Sequence, residues 1–265
     1  MLFITATLWG YGEGVIYWAP HGCDEGKKTA SKHGSHAKGE STMFALMNTE
    51  TNALAHLILP DLSEQNLTFN RTAVMLPKPS MGGYYAMIAT VYDTNETYSA
   101  IRYLSLHGRP CKVSPTKLTA LPKTDLEIVP DPLHREHDRY TASKTYHFLL
   151  RFQGKPLSHT AVTLETHDTP AQTYTTDATG AFSIILPNDF KNVKIGRSEN
   201  KPSEFLLSTQ YRYGGHLYKS TLSMPYSLNP NDFWQSQSYG AGVIAIGFLG
   251  GLVFYRRNKK GAKNG

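Results

Sequence analysis

Between residues 146 and 152, Tyr146, Phe148, Leu150 and Phe152 alternate with His147, Leu149 and Arg151. Successive side chains of a strand point to opposite faces, so a period of two specifies a half-buried β-strand. The residues that follow keep to the same pattern. Gly154-Lys155-Pro156 makes a turn, and residues 160–166 alternate again with Val162 and Leu164 on one face. Residues 173–176 form a short polar strand. Asp177-Ala178-Thr179-Gly180 carries turn chemistry, because Asp bonds its own backbone and Gly accepts a left-handed conformation. Phe182, Ile184 and Leu186 return to the core face, and Pro187-Asn188-Asp189 ends the run.

The rest of the chain has the same texture. Strands are expected at 14–18, 42–47, 53–59, 67–69, 73–76, 84–92 and 98–106, with Pro77-Lys78-Pro79 and Gly82-Gly83 as interruptions. Residues 205–213 and 216–222 alternate on either side of Gly214-Gly215, the signature of a hairpin with a primed two-residue turn. Turn signals about every ten residues fit a β-sandwich. Fifteen Pro, 22 Gly and 16 Tyr favour turns and strands over long helices. Residues 108–124 contain Pro110, Pro115 and Pro122 and read as a link between domains.

The GKP-leading strand from Gly154, the V-x-L strand at Val162 and the T-D-x-x-G-x-F return at Thr176–Phe182 resemble the carboxypeptidase-regulatory-like, or prealbumin-like, β-sandwich. With Leu126-Glu127-Ile128-Val129-Pro130 ahead of them, they resemble a bacterial exported family of unknown function. Members of that family once carried, in error, the name of the periplasmic subunit of a nickel-uptake transporter. The resemblance covers residues 126–187 and implies a periplasmic accessory protein associated with transition-metal uptake. Residues 133–138, Leu-His-Arg-Glu-His-Asp, depart from the family's aliphatic, glycine-containing approach to the strand.

Charge and hydropathy add a location. Residues 239–255 are 17 positions without a charge, bounded by Tyr239 and Tyr255. As a helix they would reach about 25 Å, close to the lower limit for a hydrocarbon core of roughly 30 Å. Arg256, Arg257, Lys259, Lys260 and Lys263 follow, which places the tail in the cytoplasm and the bulk of the chain outside it. The net charge of +6 is almost all in that tail. The remainder is near neutral, so the basic pI is no argument for nucleic-acid binding.

The expected organisation is all-β, with two β-sandwich (Ig-like or prealbumin-like) domains and one C-terminal transmembrane helix. Residues 1–9 are a remnant of a signal segment or a first strand. Residues 10–122 and 125–227 are the two domains and 228–238 a stalk. Residues 239–255 are a single pass through the inner membrane, where the lipid bilayer is the partner, and 256–265 are the basic tail.

Candidate chemistry is sparse. No G-x-S-x-G, H-E-x-x-H, C-x-x-C or P-loop occurs, and no enzyme is expected. His21, His33 and His36, with Cys23 nearby, are metal-ligand types suited to nickel, cobalt, copper or zinc. Lys27, Lys28, Lys32 and Lys38 crowd the same stretch and repel a cation. His134 and His137 form a second group, with Asp131, Glu136 and Asp138 close in sequence. His56 and His107 are expected to be packed, and His147, His159, His167 and His216 to be at the surface. Cys23 and Cys111 are a candidate disulfide in an oxidising compartment. Tyr11, Tyr17, Trp18, Tyr84 and Tyr85 suit either an aromatic sugar-binding surface or sandwich core. The functional expectation is therefore a membrane-anchored extracytoplasmic binding protein, taking a transition metal for an envelope transporter or receptor. The alternatives are a structural or protein-interaction module of the envelope, and a carbohydrate-binding module.

Overall fold

The computed structural model describes residues 14–21, 43–49, 53–134, 139–196, 199–233, 244 and 246–249. The first half holds β1 (Tyr17–Pro20), β2 (Met43–Met47), β3 (Leu54–Ile58), β4 (Glu64–Leu67), β5 (Phe69–Asn70), β6 (Ala73–Met75), β7 (Met81–Tyr92) and β8 (Glu96–Leu106). The link carries β9 (Arg109–Pro110) and the helix α1 (Pro115–Ala120). The second half holds β10 (Leu126–Pro130), β11 (Tyr140–Thr141), β12 (Thr145–Phe152), β13 (Lys155–Pro156), β14 (Ala161–Glu165), β15 (Gln172–Thr175) and β16 (Ala181–Ile185). The hairpin of β17 (Ser203–Tyr213) and β18 (His216–Ser227) completes it. All these elements belong to one compact unit, residues 1–189 with 202–227. A second unit, residues 190–201 with 228–265, contains the short helix α2 (Pro230–Phe233).

Sequence led to the expectation of two sandwiches in series. The structure has two sandwich halves that share a sheet. A ten-stranded sheet runs β15-β14-β17-β18-β8-β7-β3-β4, with β11 beside β18 and β9 beside β7. Its centre is a parallel pairing of β18 with β8, from Leu217 opposite Glu96 to Leu222 opposite Ile101. Within each long hairpin the pairing is antiparallel, while the short β11 and β9 pair in parallel with β18 and β7.

The two smaller sheets cover opposite faces of the long one. Sheet β1-β2-β6-β5 closes the first core, in which Trp18, Phe44, Leu46 and Val74 meet Met87, Ala89, Ala100 and Leu104. Tyr98 packs on this core, so Thr97 points the other way. Tyr218 stands opposite Thr97 in register and packs on Phe152 of β12, with ring centroids 5.0 Å apart. The β10-β12-β16 sheet therefore lies on the reverse face, where Phe148 meets Phe205 and Phe182. Burying a large apolar side chain contributes roughly 1.5–3 kcal/mol, and Trp18, Phe148, Phe205, Leu57, Ile88 and Leu126 are all fully buried. These two cores supply the stability.

Polar groups set the register at the seam. On one face the Thr221 and Ser223 hydroxyls each donate to β1 carbonyls, of Ile16 and Trp18, at 2.7 Å. The Trp18 indole N–H donates to Ala100 O at 3.2 Å. Arg102 of β8 reaches across β18 to Glu204 of β17 in a two-pronged ion pair at 2.7 and 3.0 Å.

On the other face, Lys123, Glu127 and Arg151 form a buried cluster. Glu127 lies 3.1 Å from Lys123 Nζ and 2.8 Å from Arg151 Nη2. The two cations also bind the last carbonyls of the α1 region. Lys123 donates to Leu118 and Leu121, and Arg151 to Thr119 and Ala120. A helix end leaves such carbonyls without intrahelical partners, and cations there also complement its dipole.

Turns follow the local chemistry. Gly214 and Gly215 have φ of 59° and 83°, as a primed hairpin turn requires. Asp177 Oδ1 accepts from Thr179 N and Ala181 N, and Gly180 adopts φ +75°. Gly82 and Gly83 do not interrupt a strand as expected. They lie inside β7, where Gly82 passes so close to Gly108 that a Cβ on Gly108 would meet Met81 C at 2.5 Å.

The expected transmembrane stretch 239–255 lies mostly outside the described residues. Of it, residues 244 and 246–249 are helical, and Ile244, Ile246, Phe248 and Leu249 are exposed. Among the described residues no helix is long and apolar enough to cross a membrane.

Candidate functional site

The proposed metal ligands are not brought together among the described residues. Cys23, His33, His36 and His137 lie outside them. His21 is exposed at the end of β1, and His134 is half-buried against the rings of Tyr140 and Tyr146, at 4.7 and 4.9 Å. Among the described residues no group of three or more His, Cys, Asp or Glu is placed to hold a metal ion. Cys111 carries a free thiol, and its sulfur accepts from Val113 N at 3.5 Å.

The other histidines separate by environment. His147 is exposed and shares a hydrogen bond with the Ser183 hydroxyl, and His159 and His167 are exposed as expected. His56 is half-buried, and burial pulls its pKa down against the opposing pull of Glu64. His107 is exposed rather than packed, because β8 ends at Leu106. His216 is half-buried rather than at the surface, held by Thr97 Oγ1 at 2.9 Å from Nε2.

The aromatic residues divide more sharply. Tyr11 lies outside the described residues; Tyr17, Trp18, Tyr84 and Tyr85 are all buried, so these four serve the core. Two exposed tyrosines lie at the end of the long sheet where the β7–β8 and β17–β18 hairpins turn. Tyr92 is 67% exposed and Tyr213 57%. Tyr92 stands opposite Thr97, Thr97 opposite Tyr218, and Tyr218 opposite Tyr211, so these residues share one face. Phe152, almost buried, is the hub. Its ring lies 5.0 Å from Tyr211, 5.3 Å from Tyr213 and 5.0 Å from Tyr218. Tyr211 and Tyr213 are nearly parallel, 18° apart at 6.5 Å.

A cleft of about 340 Å³ opens at the same end. Asn48, Thr49, Val91, Tyr92, Asp93 and Tyr98 line it. Asn48 holds φ 58° at the end of β2, and its amide donates to Val15 O at 3.0 Å, which fixes that wall.

Charges beside the cleft cancel. Lys219 Nζ lies 2.9 Å from Glu96 and 4.7 Å over the Tyr98 ring, and the Tyr98 hydroxyl donates to Glu96. Bonds from Tyr98 and then Lys219 hold Glu96 below the usual carboxylate range. The same Glu96 bond, helped by burial, raises Tyr98. Burial opposes the charge on Lys219, but its partners outweigh that and raise its pKa. Near neutral pH the pair is carboxylate and ammonium, with the phenol intact. Arg212 donates to Gly215 O at 3.2 Å, and Asp93 accepts from Thr94 N at 2.7 Å.

Sequence reasoning missed this end. The only signal was the Tyr content of residues 211–218, and alternation alone does not say which rings lack a covering layer.

No family model matches the chain, and no curated protein matches it. Several solved structures align with part of the chain. One is a calcium-stabilised adhesin with which an Antarctic bacterium binds ice, at 12% identity over 71% of this chain and 43% of that one, TM-score 0.26. A two-domain fibronectin type III segment of chicken tenascin aligns at 8% identity over 69% of this chain and 90% of that one, TM-score 0.23. The D0–D1 domain of intimin aligns at 13% identity over 69% and 88%, TM-score 0.24. The alignment thus spans less than half of the adhesin chain.

Proposed function

We propose that this chain is a non-enzymatic β-sandwich module of the cell envelope, anchored in the membrane through residues 239–255. Its role in this reading is to hold a binding face rigidly outside the cytoplasm. The observation that carries it is the parallel β8–β18 pairing, which makes one sheet of both halves. Two domains on a flexible link would move independently by default. Here the Arg102–Glu204 pair bridges the seam, and the Lys123–Glu127–Arg151 cluster ties the α1 link to β10 and β12. Buried ion pairs add little net stability, but separating the partners while they stay buried is strongly destabilising. A rigid seam is of use to a protein that presents a surface. The hairpin end, with exposed tyrosines on one face of the sheet and the cleft on the other, offers that surface.

Calorimetry of the full chain in detergent tests the reading. The shared sheet should unfold in one transition, with calorimetric and van't Hoff enthalpies in agreement. Arg102→Leu should lower the midpoint of that single transition. Two transitions in the unmodified chain, each assignable to one half, would refute the rigid-module reading.

A further inference from the structure

We infer that Asn66 is a glycosylation acceptor, whose side-chain amide takes an oligosaccharide from a lipid-pyrophosphate donor. The inference rests on the reading that this part of the chain lies outside the cytoplasm. The acceptor pattern Asn-x-Thr occurs at three places: Asn66-Leu67-Thr68, Asn70-Arg71-Thr72 and Asn95-Glu96-Thr97. All three asparagines are exposed. A transferase must reach the amide and the hydroxyl two residues on together, and the fold offers that pair at one place.

At Asn66 both groups are presented. Leu67 and Phe69 pack on the first core, so Asn66 and Thr68 point away from it. In an extended chain two such side chains share one face, roughly 7 Å apart along the strand. Both are exposed. β4 is the last strand of the ten-stranded sheet and pairs with β3 alone among the described residues, so an enzyme groove can approach from the outer edge.

The other two places lack this presentation. Asn70 and Thr72 flank Arg71, which holds φ 59° in the tight turn where Asn70 pairs with Ala73. A left-handed residue between them breaks the extended row. At Asn95 the obstacle is burial. Thr97 is 6% exposed, and its hydroxyl shares a hydrogen bond with His216 Nε2 at 2.9 Å.

In the transfer, Nδ2 of Asn66 forms a bond to C1 of the first sugar. The bond from C1 to the pyrophosphate oxygen breaks, and the lipid pyrophosphate leaves with the electron pair. One proton leaves Nδ2. The product is a bulky, solvated chain on the last strand of the long sheet. An open sheet edge is a template for pairing with another chain, and a glycan there keeps the sheet from extending into a second copy.

The test uses the folded full chain, purified in detergent, with a bacterial oligosaccharyl transferase and its polyprenyl-pyrophosphate oligosaccharide. An acceptor peptide alongside shows that the enzyme is active. Intact mass and glycopeptide mapping should find one glycan per chain, on Asn66. Asn66→Gln and Thr68→Val should each abolish the transfer and leave the unfolding midpoint unchanged, because both side chains are exposed. Three results overturn the inference: a bare chain beside a modified peptide, a glycan on Asn70 or Asn95 with Asn66 bare, or transfer that Thr68→Val retains. None of these touches the placement outside the cytoplasm. That placement fails separately, if cells holding the transferase in the periplasm leave Asn66 bare on a chain that the purified enzyme modifies.

Discussion

Glu127→Gln is the most informative single change in this protein. The Glu127 side chain is wholly buried, as is that of Lys123, while Arg151 is 12% exposed. Removing one member of a buried ion cluster costs about 3–5 kcal/mol, because the remaining charges stay desolvated. Lys123 keeps two carbonyl partners and Arg151 keeps two, so the low end, about 3 kcal/mol, is expected. For a folded body of about 200 residues that corresponds to a midpoint lowered by roughly 6–12 °C. Lys123→Met in the same chain should return at least about 1 kcal/mol, since the two sites couple.

The pH dependence of Glu127→Gln supplies a second check. Burial lowers the Lys123 pKa below 10.5, and Glu127 is what opposes that. Between the lowered folded value and 10.5 the unfolded chain binds more protons, so stability rises with pH. Losing Glu127 widens that window, and part of the lost stability should return as pH climbs toward 10.5. Urea unfolding of the wild type, the single variant and the double variant across pH is the assay. A cost below about 1 kcal/mol, with no recovery in the double variant, would show that the cluster is not a fastener.

Gly180→Ala should cost about 2 kcal/mol or more in urea unfolding, because its Cβ would lie 2.8 Å from Leu150 O at φ +75°. Burial pushes the Asp189 carboxyl up, but bonds from threonine hydroxyls including Thr169, from Asp168 N and from the Tyr226 hydroxyl outweigh it and leave its pKa below 3.8. Its contribution is therefore present above the unfolded value and lost as pH falls through the folded one. Asp189→Asn should flatten the decline in stability as pH falls below the usual aspartate value of about 4. Titration of the full chain with nickel, copper and zinc should reveal no site tighter than about 10⁻⁵ M, given the lysines around His33 and His36. A tight site abolished by His33→Ala and His36→Ala would establish the metal reading.

The strands were legible because alternation is local. Residues 146–152, 205–213 and 216–222 showed their faces directly, and β12, β17 and β18 follow them within a few residues. Gly214-Gly215 named its own turn, since positive φ is a property of the dipeptide. The candidate site was not legible. Tyr17 and Tyr84 look like Tyr92 and Tyr213 in sequence, yet two are core and two are surface. Nothing local marks Arg102, Lys123 or Glu127 for burial, yet each has a buried side chain.

From its amino-acid order alone, this chain was committed to short alternating strands, to glycine and aspartate turns, and to a charge-free stretch backed by five basic residues. Only the tertiary structure decided that β18 would pair with β8, that the covering sheets would take opposite faces, and that a band of tyrosines would be left at one end. The reason is physical. Periodicity and turn chemistry act between residues a few positions apart, whereas burial depends on which distant strand arrives to cover a face.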